Sequence, residues 1–88
     1  MAVVWIPSLL QNLTDGEEQV VVSGATVGEI IDNLDVRFPG VKERLVHEGT
    51  IRPHIAVAID GDVSPEGLEQ DVQESSEIYF IPALSGGR

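Results

Sequence analysis

The sequence predicts an α+β fold in which one mixed sheet is covered across one face by a single main helix. Three observations lead there. Hydrophobic periodicity gives the element order strand, strand, helix, strand, strand. The helix and the strands each have one apolar side that the other can cover. The 88 residues suffice for one small domain and are too few for two. A chain of this size buries only about 60 to 68 per cent of its unfolded surface, so function is expected on the surface or at the ends.

The first strand is "AVVWIP", a β-branched and aromatic run closed by Pro7. "EEQVVVS" is the second and stops at Gly24. Between them Asp15-Gly16 is a turn dipeptide, which predicts a hairpin with a long connection. In "ATVGEIIDNLDVRF", Val27, Ile30, Ile31, Leu34 and Phe38 recur at helical spacing and form one apolar stripe. Thr26 and Glu29 make a capping box in which each side chain satisfies an orphan amide, and Pro39-Gly40 ends the helix. "VKERLV" predicts a shorter helical segment, after which residues 47–53 read as loose chain.

"HIAVAID" alternates, with Ile55, Val57 and Ile59 on one face and Ala56 and Ala58 on the other; Asp60-Gly61 is a hairpin signal. From residue 64 the chain is a polar, acidic surface connection with a helical turn around 68–72. "EIYFIP" is the last strand, Ile78 and Phe80 facing in, Tyr79 and Ile81 facing out. The domain is expected to span residues 1–84, and 85–88 to form a flexible Ser-Gly-Gly-Arg tail.

Charge narrows the partners. Five Lys+Arg against fifteen Asp+Glu give a formal net charge of -10, a field that repels nucleic acid. All bases except Arg88 lie between residues 37 and 52, whereas 60–77 carries Asp60, Asp62, Glu66, Glu69, Asp71, Glu74 and Glu77 with no base. That acidity either keeps the protein soluble or meets a partner with a basic surface. With no cysteine, neither disulfides nor thiolate chemistry is available. "AVVWIP" follows Met1 without a signal-peptide pattern, and no apolar run nears the roughly 18 residues of a membrane helix. A cytoplasmic protein without membrane association is expected.

No side-chain constellation reads as an active site. His47 and His54 lack ligand-spaced neighbours, so no metal is expected. Ser23-Gly24 lacks a phosphate-cradling glycine run, and Asp60 and Asp62 read as turn chemistry. The scattered serines have no visible His and Asp partners.

The end of the chain is different. "IPSLL", "SGATVGEIIDNL", "PGVKERL", "GL" and "IYFIPALSGG" span nearly the whole sequence. Together they resemble the small ubiquitin-like sulfur carriers of the ThiS and MoaD type, and within them the CysO subgroup. The resemblance implies a ubiquitin-like β-grasp fold ending in a Gly-Gly tail. It implies that an ATP-using, ubiquitin-activating-type adenylating enzyme adenylates a terminal glycine carboxylate, and that sulfur displaces AMP to leave a thiocarboxylate. The carrier itself binds no cofactor and is not an enzyme. A sulfur-accepting synthase, for cysteine or for thiamin- or molybdopterin-type products, then takes the sulfur.

Carried onto this sequence, Gly87 is the sulfur attachment site, and Ser85, Gly86 and Gly87 form the tail that enters a partner's active site. Glycine suits that task because it has no Cβ to block a narrow channel. There are two departures. "ESSE" stands where the family has a Gly-containing turn before the last strand, and Arg88 follows Gly87 where active members end at the second glycine. Arg88 is therefore expected to be removed, by a JAMM-type metalloprotease or another peptidase; the other reading is an incidental extra residue.

Trp5 and Tyr79 are expected on the face away from the helix with Val3, Ala56, Ala58 and Ile81, as a docking surface for partners or as the edge of a small core. A rival reading of the whole is a ubiquitin-like protein modifier, or a non-covalent β-grasp interaction module. An acyl adenylate can be taken by a lysine amine as well as by sulfide.

Overall fold

A computed structural model describes residues 1–82. β1 (Ala2–Trp5) and β2 (Gln19–Val22) pair antiparallel, from Ala2 opposite Val22 to Trp5 opposite Gln19. Both are shorter than the sequence expectation, although the Ile6 amide still reaches the Glu18 carbonyl at 2.9 Å. The long connection packs inward. A 3-10 turn at Ser8–Leu10 buries Leu10, and the fully buried Thr14 hydroxyl donates to the Glu17 carbonyl at 2.9 Å.

The main helix is α1 (Val27–Arg37). The Thr26 hydroxyl accepts from the Glu29 amide at 3.2 Å, while the Glu29 carboxylate accepts from the Ala25 amide at 2.9 Å. The reciprocal cap thus reaches one residue further back than Thr26, and still satisfies a donor at each side of the helix entry. Val27, Ile30, Ile31 and Leu34 are all fully buried. Each such side chain contributes about 1.5 to 3 kcal/mol relative to exposure, which is what fixes the helix on the sheet.

Gly40, with φ 104°, lets the chain turn after Pro39, and the Asp35 carboxylate accepts from the Gly40 and Lys42 amides at 3.1 and 3.0 Å. α2 (Val41–Leu45) follows and buries Val41 and Leu45.

Residues 46–51 correct the expectation of loose chain. β3 (Val46–His47) and β4 (Thr50–Ile51) form a small antiparallel ribbon around Glu48 and Gly49, both at positive φ. β5 (Ile55–Ile59) and β6 (Asp62–Val63) are joined by Asp60-Gly61, with φ 51° and 92°, the left-handed pair that a two-residue hairpin turn requires. The expected helical turn lies one step earlier, as a 3-10 turn at Gly67–Glu69. The connection is tied to the start of α1 by the Val27 amide on the Gln70 carbonyl (2.9 Å) and the Val72 amide on the Ala25 carbonyl (2.8 Å).

"ESSE" makes its turn without glycine. The buried Ser76 hydroxyl accepts from the Gln73 amide at 3.0 Å, and the Ser76 amide donates to the Gln73 carbonyl at 3.1 Å. The last strand, β7 (Glu77–Pro82), then runs parallel to β1 and antiparallel to β5. Sheet order is β2-β1-β7-β5-β6, so the final strand lies in the centre. α1 covers one face, and Val4, Val20, Val22, Val57, Ile78 and Phe80 meet it there.

Candidate functional site

The site has two parts, the root of the tail and the open face of the sheet. β7 is flanked by β1 along its first half and by β5 along the rest, with both neighbours paired at Ile78 and Tyr79. Val3, Val4 and Trp5 face Glu77, Ile78 and Tyr79, and Ile55 through Ile59 face Pro82 back to Ile78. β7 thus ends at Pro82 as the central strand of the sheet, its last three residues laddered to β5. Ser85, Gly86, Gly87 and Arg88, the expected tail and processing residues, lie outside the described residues, as does the expected domain boundary at residue 84.

On the open face the register puts Gln19, Trp5, Tyr79, Ala58 and Val63 in one row across all five strands. Ala56 and Ile81 pair in the next row toward the end of β7. Trp5 and Tyr79 are stacked, ring centroids 5.7 Å apart and planes 5° from parallel. Both are anchored on one carboxylate oxygen: the Trp5 indole N–H donates to Glu77 Oε1 at 3.0 Å and the Tyr79 hydroxyl donates to the same atom at 3.1 Å. Partial desolvation, then the hydrogen bond and the negative charge of Glu77, with Asp60 adding to them, raise the Tyr79 phenol above its ordinary value.

Beside the aromatic pair is a shallow recess of about 590 Å³ lined by Ala58, Asp60, Val63, Glu77, Tyr79 and Ile81. Ala58 is 4% exposed and serves as its floor, whereas Ile81 is 45% exposed. The five residues singled out from the sequence thus share one face. Sequence reasoning missed Val21 and Val63, 49% and 66% exposed, which widen the apolar face at its two edges. Their place depends on strand neighbours, Val3 for Val21 and Ala58 for Val63, which no local pattern reveals. The missed Glu77 is tied to the aromatics by the same parallel register.

Among the described residues no group of three or more His, Cys, Asp or Glu side chains is placed to hold a metal ion. No helix of the described residues is long and apolar enough to cross a membrane.

A five-stranded mixed sheet with one main helix across it and the C-terminal strand at its centre defines a ubiquitin-like β-grasp protein. Comparison with known proteins narrows the class. The ThiS family model matches residues 4–87, and the chain belongs to the ThiS family. It is 30% identical over 89 residues to the sulfur carrier protein CysO of Mycobacterium tuberculosis, covering 96% of each chain. Its structure is similar to a chain of the Amycolatopsis orientalis BexX/CysO complex, with TM-score 0.93, 37% identity, and coverage of 99% of this chain and 100% of that one. It is also similar to small archaeal modifier protein 1 of Methanosarcina acetivorans, with TM-score 0.81, 25% identity, and coverage of 98% and 95%.

Proposed function

We propose that this protein is a sulfur carrier, a protein substrate of other enzymes, whose working group is the main-chain acyl carbon of Gly87. The observation that supports this most is Gly86-Gly87 standing five residues beyond a central, doubly paired strand in a ThiS-family chain. The globular part presents a rigid handle, and the glycines supply an end with no Cβ that a narrow active site can admit.

With Arg88 attached, the Gly87 carbonyl is an amide and cannot be adenylated. A peptidase, of JAMM type or another, hydrolyses the Gly87-Arg88 bond and frees the carboxylate. A carboxylate oxygen then attacks the α-phosphorus of ATP held by a ubiquitin-activating-type adenylating enzyme, and pyrophosphate leaves. Hydrosulfide attacks the resulting acyl carbon, the bond to the AMP oxygen breaks, and the chain ends in a thiocarboxylate. Activation as a mixed anhydride divides one hard displacement into two easier ones. A sulfur-accepting synthase for cysteine, or for a thiamin- or molybdopterin-type product, receives the sulfur.

Trp5, Tyr79, Ala56, Ala58 and Ile81 form the docking face. Two rigid aromatics with few rotamers to lose, set among small side chains, suit an interface hot spot. Asp60 and Glu77 at its margin favour a partner with basic residues there. The similarity to a small archaeal modifier protein favours a second reading, in which a lysine amine takes the acyl group and the protein becomes a covalent modifier.

Pyrophosphate exchange tests the processing requirement. With the adenylating enzyme and ATP, residues 1–87 support exchange of labelled pyrophosphate into ATP and residues 1–88 do not. Equal exchange with Arg88 in place contradicts it.

A further inference from the structure

Where the tail leaves the sheet, a second surface feature is unused by the docking face. On the helix side of the β5 end, Leu9, Arg44, Arg52, His54 and Ile55 line a cleft of about 240 Å³. Three of its five lining residues are basic and none is acidic, in a chain of net charge -10. The other described bases are engaged elsewhere: Lys42 Nζ is 2.7 Å from Asp32 Oδ1, Arg37 Nη1 donates to the Val21 carbonyl at 3.1 Å, and His47 Nε2 is 3.8 Å from Glu48 Oε2.

The cleft is assembled from three separate elements. Arg52 is fixed by its Nε and Nη2, which donate to the Glu43 carbonyl in α2 at 3.1 and 2.8 Å. Its own amide donates to the Leu45 carbonyl at 3.0 Å. One guanidinium therefore closes the C-terminal end of α2 and is pre-oriented at the cleft. Arg44 and His54 are exposed and have no ion-pair partner among the described residues.

Its position says what covers it. Ile55, in the cleft wall, pairs with Pro82, the last described residue of the central strand. Gly87 is five residues beyond Pro82, and an extended chain spans at most about 3.6 Å per residue, so Gly87 reaches no further than roughly 18 Å from Pro82, which Ile55 of the cleft wall faces across the strand pair. Any active site that acts on Gly87 lies inside that radius, and the protein surface around its entrance lies over the tail root. Asp60, Glu74 and Glu77 stand at the opposite end of β5 and β7, while Glu17 and Glu18 are across the sheet beside β2. Arg44, Arg52 and His54 thus gather on one side of the exit, with Glu66 and Glu69 in the adjoining recess that Arg52 and Ile55 also line.

We infer that the Arg44-Arg52-His54 cleft receives acidic side chains on the rim of the partner channel that takes in the tail. This rests on the carrier reading and adds to it a second contact of opposite sign to the docking face. Basic residues of the partner meet Asp60 and Glu77, carboxylates meet the cleft, and the two together set one orientation of the tail. Complementarity of this kind acts mainly on encounter rate and on register.

Two measurements test it. In an NMR titration of the full chain with a hexaglutamate peptide, the largest backbone shifts are expected at Arg44, Arg52, His54 and Ile55. Shifts spread over the surface overturn the inference. So does the same set moving with inorganic phosphate and not with the peptide, which marks a small-anion site instead. In stopped-flow association of residues 1–87 with the adenylating enzyme, the double variant Arg44→Glu, His54→Glu leaves Arg52 and the fold intact. It is expected to slow association about tenfold at low salt, with the difference closing as salt screens the charges. An unchanged rate, or a loss that salt does not diminish, overturns the cleft while leaving the carrier reading standing, provided that the unsubstituted chain is adenylated. A chain that is never adenylated overturns both.

Discussion

Glu77 holds the open face together at the scale of single residues. One oxygen of its carboxylate accepts from both Trp5 and Tyr79, so the stacked pair is oriented without burying either ring completely. The charge also leaves a titratable signature. Desolvation and the Glu77 hydrogen bond hold Tyr79 in its protonated form, and a negative neighbour opposes a second negative charge. Glu77→Gln is expected to lower the Tyr79 midpoint toward the ordinary phenol value while the desolvation part of the shift persists. Tyr79 is the only tyrosine, so tyrosinate absorbance against pH reads it directly; a midpoint that stays or rises contradicts the assignment. Because the folded-state value is raised, the stability linked to this group is complete below about pH 10 and is lost as pH climbs through the folded midpoint. The alternation of "EIYFIP" and "AVVWIP" placed the two aromatics on the open face. It could not place Glu77 beside Trp5, because that contact follows from a parallel register between residues more than seventy positions apart.

Among the elements, α1 was the most legible, since its stripe and cap are both written in consecutive residues, and the structure keeps Val27, Ile30, Ile31 and Leu34 buried. Gly24 carries a constraint that consecutive residues do not display. A Cβ there would stand 2.9 Å from the Ile30 amide nitrogen and 3.0 Å from Ile30 Cδ1, so the chain entering α1 passes too close for any side chain. Gly24→Ala is expected to destabilise the fold by about 1 to 3 kcal/mol through overpacking, read as a lower urea midpoint at an unchanged slope. An unmoved midpoint would mean that this entry is looser than described. The ribbon of β3 and β4 escaped sequence reading for a simpler reason: two residues per strand are too few to show a period of two. The "ESSE" turn was equally hidden, because Ser76 replaces the positive φ of a glycine with a hydroxyl that reaches back to Gln73.

At the scale of the whole molecule, the proposed chemistry, the proposed docking face and the charge are separated along the central strand. β7 starts among Asp60, Glu74 and Glu77, passes beneath the Tyr79 stack, and ends beside the Arg44-Arg52-His54 cleft. The chemistry proposed for Gly86-Gly87 is readable in the chain itself, since it belongs to the backbone and needs no tertiary contact. The cleft is not, because its three basic residues come from α2, the segment before β5, and the turn into it, and only folding brings them beside the end of β7. The central claim is that the Gly87 acyl carbon carries sulfur, and intact-mass spectrometry addresses it most directly. Residues 1–87, incubated with ATP, the adenylating enzyme and hydrosulfide, are expected to become about 16 Da heavier as one carboxylate oxygen is replaced by sulfur, with the gain confined to the C-terminal peptide. An unchanged mass, a gain located elsewhere, or a chain recovered only as amide-linked adducts would contradict it.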